Sequence, residues 1–389
     1  MYKNPKKEED TITFDIINND GKFSTALINS LRRTIMSDIS IYLIDENNIA
    51  FHENSSMLNN DILEKRLTLL PLHYKNVMKY DHDNLEITLD VKNSEKGIIS
   101  VYVNDFTVKD KSTGKDVAVE EIFTHPKILF AKLKYKQRIH LTTFITKGST
   151  QLFGAAASPV SKVSYNFEVD PKAVDAKLKE IDEEFGKKIE EQMEQFDSAE
   201  YVELTIGDEK EELRKKILKN LENEKEQLKN NFSLLDSNRY YKKNKYGQPA
   251  IYQFVLTTVG VMSSEELFLK GLESLGDILT KFVYSITNNI HDKVEFTKSV
   301  TNLNGYEINV QYENDTLGNL LQDYLFSKPN VKYISYNIPH PLDHNLIFKI
   351  ELEKDNSEAN IKKEIVKYAD ELKKLLNDMA KEFSKIKFK

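Results

Sequence analysis

The 389-residue sequence contains no cysteine. Disulfides, thiolate metal centres and a thiol nucleophile are therefore excluded. No apolar run approaches the ~20 residues that a membrane-spanning helix needs. The opening "MYKNPKKEEDTITF" is charged where a signal peptide carries an apolar core. A soluble, intracellular protein with no membrane attachment is expected. A basic face is also missing: 55 Lys and Arg are interleaved with 62 Asp and Glu, for a net charge of -7. Proteins that bind nucleic acid unaided usually segregate their cations, so nucleic acid is expected only through a larger complex. The sequons at Asn54 and Asn231 carry little meaning without a secretory signal.

Catalytic motifs are equally scarce. "NDGKFST" holds Gly-Lys but lacks the upstream glycine of a phosphate-binding loop. There is no Asp-x-Asp-Gly-Asp type magnesium cluster and no Gly-x-Ser-x-Gly. The eight histidines are scattered. His340 and His344 are four apart, but Pro341 argues against a helical pair of ligands. Asp81-His82-Asp83 reads as a turn. No catalytic, cofactor-binding or metal-binding residue is assigned, and no cofactor is expected.

What the sequence does have is patterned apolar residues. They make up 40% of it, with 20 Phe and 19 Tyr, and the length allows two to three domains. "TITFDIINND" alternates like a strand and ends in an Asn-Asp-Gly turn. Phe23, Ala26, Leu27, Leu31 and Ile35 then recur at helical steps, with Arg32 and Arg33 beside the stripe. Residues 40 to 170 are mostly strand-like. From Lys172 to about Tyr241, Glu and Lys dominate, which predicts one or two exposed helices and a polar loop. A strand and a helix follow, with Ser263 and Glu266 spaced as a capping box and Leu267, Gly271, Leu275, Leu279 and Phe282 as the buried stripe.

A second strand–turn–helix unit starts near Tyr306. "ENDT" supplies its cap, and Leu317, Leu320, Leu321 and Leu325 fall on one face. Strands lead from there to a closing helix from Ile361 to Phe383, whose stripe includes Ile365, Ala369, Leu372, Leu376 and Met379. Gly318 is read as permitting close helix packing, and His340-Pro341 with Pro339 as a rigid strand connection. The two ends of the chain thus echo one another, which suggests a pseudo-twofold pairing of related halves.

Two stretches are specific. "NSLRRTIMSDISIYLIDENNIAFHENSSMLNNDILEKRLTLLPL" (Asn29 to Leu72) resembles the signature of the RNA polymerase alpha-like subunits: the bacterial alpha subunit, the archaeal D subunit and the third subunit of eukaryotic RNA polymerase II. "ENDTLGNLLQDYLFSKPNVKYISYNIPHPLDHNLIFKIEL" (Glu313 to Leu352) resembles the eleventh subunit of polymerase II and its archaeal L relative. The resemblance implies a fusion of two subunits that elsewhere form a heterodimer, an arrangement like that of some large DNA viruses. The fold it implies is α+β: two alpha-like dimerisation domains paired within one chain, plus an inserted mainly-β domain. Residues 1–42 and 160–282 would be the third-subunit-like domain, with 172–241 as a charged helical insertion. Residues 43–159 would be the inserted domain, and 283–389 the eleventh-subunit-like domain. Some relatives carry a cysteine metal loop in the inserted domain, which this chain cannot build.

The function so implied is a non-catalytic assembly platform of a DNA-directed RNA polymerase. Its partners would be the two large subunits, the second-largest most directly, and small polymerase subunits. The compartment would be the host cytoplasm or virion for a viral chain, otherwise the nucleus. The helix stripes, with Leu372 and Leu376, would form the contact between halves. Arg32 and Arg33 would dock the second-largest subunit, against the plainer reading of a solvated helix edge. Glu53, Asn54, Ser55 and Arg66 would order a turn and touch the same partner. A free-standing protein-interaction or DNA-binding factor with the same fold is the alternative.

Overall fold

A computed structural model describes residues 1–198, 207–288, 290, 292–299, 304–311, 313–340 and 345–388. The elements begin with β1 (Tyr2–Glu8), β2 (Thr11–Ile17), α1 (Thr25–Ser37), β3 (Ile41–Ile44), β4 (Ala50–Asn54) and α2 (Asn60–Thr68). Next come α3 (Tyr74–Val77), β5 (Leu85–Lys92), β6 (Ile99–Tyr102), β7 (Thr107–Asp110), β8 (Lys115–Val117), α4 (Val119–Ile122), β9 (Leu129–Leu133) and β10 (Arg138–Gly148). Then follow α5 (Thr150–Phe153), β11 (Val160–Phe167), α6 (Pro171–Ser198), α7 (Gly207–Asn231), β12 (Ile251–Thr258) and α8 (Ser264–Thr287). The chain closes with β13 (Val294–Lys298), β14 (Tyr306–Gln311), α9 (Asp315–Phe326), β15 (Val331–Asn337), β16 (Asn345–Leu352) and α10 (Glu358–Phe383). Pro341 and His344 lie outside the described residues.

Two sheets repeat one strand order. The first runs β1-β2-β12-β11 and the second β13-β14-β16-β15. In each, a helix follows the second strand in sequence and a long helix follows the last. The helices start where capping chemistry places them. Ser24 accepts from Leu27 N, Ser263 from Glu266 N, and Asn314 from Thr316 N. Phe23 is buried, but it precedes the Ser24 cap and so lies outside the helix whose stripe it was expected to head. The closing helix starts at Glu358, three residues earlier than its stripe suggests, because Ser357 caps it.

Between α1 and α8 in sequence, the chain forms a sheet ordered β3-β10-β5-β7-β8, with β4 also pairing β10. Leu63, Leu67 and Leu70 enter its core beside Phe106, Phe123 and Phe130. These elements and the second repeat sheet belong to a compact unit made of Met1–Asp15, Phe23–Ser164 and Phe254–Lys389. A second unit contains Ile16–Lys22 and Tyr165–Gln253. Within it α6 packs on α7, and Ile181 and Phe185 of α6 cluster with Phe232, just after α7. Asp182 pairs with both Lys225 and Lys229 at 2.6 Å, and Lys188 with Glu224 at 2.8 Å. Among the described residues the charged stretch forms two helices, and the thin apolar seam between them is a feature its composition does not reveal.

Candidate subunit-pairing site

The repeats meet through helices. α1 packs on α8 and on α9, and α8 packs on α10. Leu31 and Ile35 of α1 and Leu317 of α9 are fully buried, as is Leu372 of α10. Leu27, Leu320, Leu321, Leu325 and Leu376 are buried to within 2%. Every residue expected in the contact is thus in an apolar interior. Gly271 sets the spacing of α1 and α8: a Cβ there would fall 2.3 Å from Ile35 Cγ1. Gly318 allows close packing of its own helix, α9. A Cβ on it would meet the Tyr336 ring at 2.5 Å and Leu346 at 2.8 Å, so it admits the sheet against α9 rather than a second helix.

Polar bonds fix the register of the apolar contact. Ser30 Oγ donates to Thr316 O at 3.0 Å, and Arg33 Nε donates to Thr316 Oγ1 at 2.9 Å. Both link α1 to the first turn of α9. At the opposite end of the helices, aromatic rings converge. Phe383 of α10 lies 4.3 Å from Phe268 of α8, 5.2 Å from Phe14 and 5.4 Å from Tyr2, centroid to centroid. Tyr2 Oη donates to Met379 O at 3.2 Å. Burial, with Glu382 nearby, pushes the Tyr2 phenol well above the usual range, so it stays a neutral donor.

A polar cleft of about 740 Å³ opens beside the junction of α1 and α9, lined by Asp38, Lys270, Asp277, Lys281, Lys293 and Glu313 among others. Burial and then the charge of Asp38 push the Glu313 carboxyl up to about 7, against the opposing pull of Lys281 and Lys293. Asp38, at the C-cap of α1, is raised by burial too, despite hydrogen bonds from Ser37 and Gln151 and the nearby Arg33 charge. Folded Glu313 holds its proton to higher pH than unfolded Glu313, so its contribution favours folding at low pH and is lost as pH rises through about 7. Urea unfolding of wild type and Glu313→Gln at pH 5 and pH 8 should show wild type losing up to about 3 kcal/mol more than the variant over that interval. Equal losses would contradict the assignment.

The residues expected to dock a partner divide into two groups. Arg32 is half-buried and donates from Nε to Asn29 Oδ1 at 3.0 Å, while Arg33 is committed to Thr316. In the other group, Asn54 organises the turn after β4. Its Oδ1 accepts from Ser56 N at 3.0 Å, and its Nδ2 donates to Leu58 O at 2.9 Å. Ser55 exchanges bonds with the Arg138 backbone, and Arg66 Nη2 donates to Leu129 O at 3.0 Å. Glu53 pairs with Arg138 at 3.0 Å. Arg138 also grips Asp90 through two 2.7 Å bonds, so it is the hub of this corner. Nothing in the sequence near Arg138 marks it, because its partners come from two other strands. Among the described residues, no hydrogen bond or ion pair joins the Arg32–Arg33 pair to the Glu53 turn.

With this geometry in hand, comparison with known proteins is informative. Residues 306–382, which span β14 to α10, match the RNA polymerase Rpb3/Rpb11 dimerisation domain. The chain is 32% identical over 133 residues to the DNA-directed RNA polymerase subunit Rpo3 of Pyrococcus horikoshii, covering 32% of this chain and 48% of that protein. It is 47% identical over 47 residues to subunit Rpo11 of Sulfurisphaera tokodaii, which is 12% of this chain and 50% of that protein. Similarity to RNA polymerase II subunit RPB11 of Schizosaccharomyces pombe is 28% over 85 residues, 21% of this chain and 69% of that protein. The chain spans about half the length of the Rpo3 relatives it matches. What these matches support directly is a dimerisation domain of the Rpb3/Rpb11 type over residues 306–382.

Proposed function

We propose that this chain is a non-catalytic assembly platform of a multisubunit RNA polymerase, with both members of an alpha-like pair in one polypeptide. The third-subunit-like half would be residues 1–42 and 160–282 and the eleventh-subunit-like half 283–389, with 43–159 inserted. The observation that carries the proposal is the join between α1 and α9: buried leucines from both repeats, sealed by the bonds of Ser30 and Arg33 to Thr316. The repeated strand order supports it, as does similarity to proteins named both Rpo3 and Rpo11. Linkage in one chain would hold the halves at an effective concentration on the order of millimolar and fix their ratio at one to one. A fusion of this kind fits a large DNA virus, acting in the host cytoplasm or virion.

The platform would capture the two large catalytic subunits, the second-largest through Arg32 and Arg33. Guanidinium groups suit that task because they shed water readily and bond carboxylates in a bidentate manner. Affinity purification of the tagged chain from its native source should recover both large subunits. Recovery of neither would overturn the proposal. Arg32→Ala with Arg33→Ala should leave the chain folded, since only three hydrogen bonds of about 1 kcal/mol each are lost, yet weaken capture of the second-largest subunit at least tenfold. Unchanged co-purification would remove the arginines from the docking surface.

A further inference from the structure

One cluster of metal-ligating side chains has no part in the reading above. Along the ladder between β4 and β10, Ile139 faces Asn54 and His140 faces Glu53, but Leu141 then faces Phe51 and Thr142 faces Ala50. His52 is left over as a β-bulge. A bulge bends its strand and re-aims the extra side chain. Here it brings the His52 ring against His140, with centroids 4.6 Å apart and planes tilted by 43°. His52 is exposed and His140 half-buried, so burial of apolar surface does not account for the pairing.

The geometry suits a shared ion. A histidine nitrogen binds zinc at about 2.1 Å, which places the ring centre about 3.2 Å from the metal, and two rings meeting at about 90–109° then have centres about 4.5–5.2 Å apart. The observed separation falls in that range. The tilt matters as well. Parallel stacked rings cannot aim two in-plane lone pairs at one point, whereas tilted planes intersect. Thr142 Oγ1 lies 3.0 Å from His52 Nε2, in the way that the second nitrogen of a metal-binding histidine is commonly held. That leaves His52 Nδ1 for an ion. The neighbouring carboxylates are engaged elsewhere, since Glu53 and Asp90 are both bound to Arg138. Among the described residues no group of three or more His, Cys, Asp or Glu converges on one point, so two imidazoles are what the protein offers here.

We propose that His52 and His140 form a two-imidazole site for a borderline divalent transition metal, with water or a partner side chain filling the open positions. Imidazole ligation predicts the order Cu²⁺ over Ni²⁺ and Zn²⁺, with no competition from Mg²⁺. Because only neutral imidazole ligates, acidification should release the ion.

The test is calorimetric titration of Zn²⁺, Ni²⁺, Cu²⁺ and Mg²⁺ into the full chain near neutral pH. One transition-metal ion per chain should bind and Mg²⁺ should not. His52→Gln and His140→Gln should each weaken Zn²⁺ binding at least tenfold, while His73→Gln leaves it unchanged. Circular dichroism checks that the variants fold. Should one misfold, selective shifts of the His52 and His140 ring signals on adding Zn²⁺ to wild type would give a second readout. Absence of binding by wild type would overturn the proposal, as would wild-type affinity in a folded double variant or Zn²⁺ shifts confined to other histidines.

Discussion

Phe383→Ala is expected to lower folding stability by about 3–5 kcal/mol, the usual range for emptying a buried phenylalanine site. The side chain is 2% exposed and belongs to α10 of the second repeat. Its neighbours Phe14, Phe268 and Tyr2 all belong to the first. The loss should therefore be felt as weaker attachment of the two repeats, not only as a cavity. Phe383→Leu should recover most of it by keeping volume. A double-mutant cycle with Phe268→Ala, read by urea unfolding, should give a coupling of about 0.5–1.5 kcal/mol, as expected for rings in contact. A loss below about 1 kcal/mol for Phe383→Ala would mean that the aromatic cluster is not a structural join.

Leu31→Asp should have the second large effect. Leu31 is fully buried on α1, where a Cβ on Gly271 of α8 would lie 3.4 Å from its Cδ1. A carboxylate there would be taken out of water into an apolar contact, which costs several kcal/mol before any packing loss is added. A loss above about 4 kcal/mol is expected, large enough to leave a marginally stable domain unfolded. Leu31→Met, which keeps volume and apolar character, should cost less than about 1.5 kcal/mol. Thermal unfolding of the pair separates a packing contact from a surface one. Similar melting temperatures for the two variants would contradict the buried assignment.

The apolar stripes were legible in the sequence because a helix facing a core must repeat near 3.6 residues, whatever it packs on. Leu27, Leu31, Leu320, Leu325 and Leu376 are buried as their spacing requires. What the stripe cannot say is which surface covers it. The spacing that marks Gly318 as a close-packing position does not reveal that Tyr336 and Leu346 of a sheet are what it admits. Tyr2 sits among Lys3, Pro5, Lys6 and Lys7, in a stretch whose charge masks its strand character. Proline and lysine are also what an edge strand uses to discourage further pairing, and β1 is such an edge. Arg138 and the His52–His140 contact escaped notice for another reason. Each depends on register between strands far apart in sequence, and the second depends on a bulge. The Asn54 turn was readable locally, since an Asx turn needs only its own next few residues. The role of Thr316 was not, because its partners lie 283 and 286 residues away.

The most direct test is to cut the chain between its proposed halves. A protease site inserted between Asn288 and Asp292, after α8 and before β13, would yield two fragments from the folded protein. If one polypeptide supplies both members of a pair, the fragments should stay together through size-exclusion chromatography at micromolar concentration. Their circular dichroism should match that of the uncut chain, and Phe383→Ala should make them separate. Fragments that part on cleavage without that substitution, each eluting alone, would contradict the account.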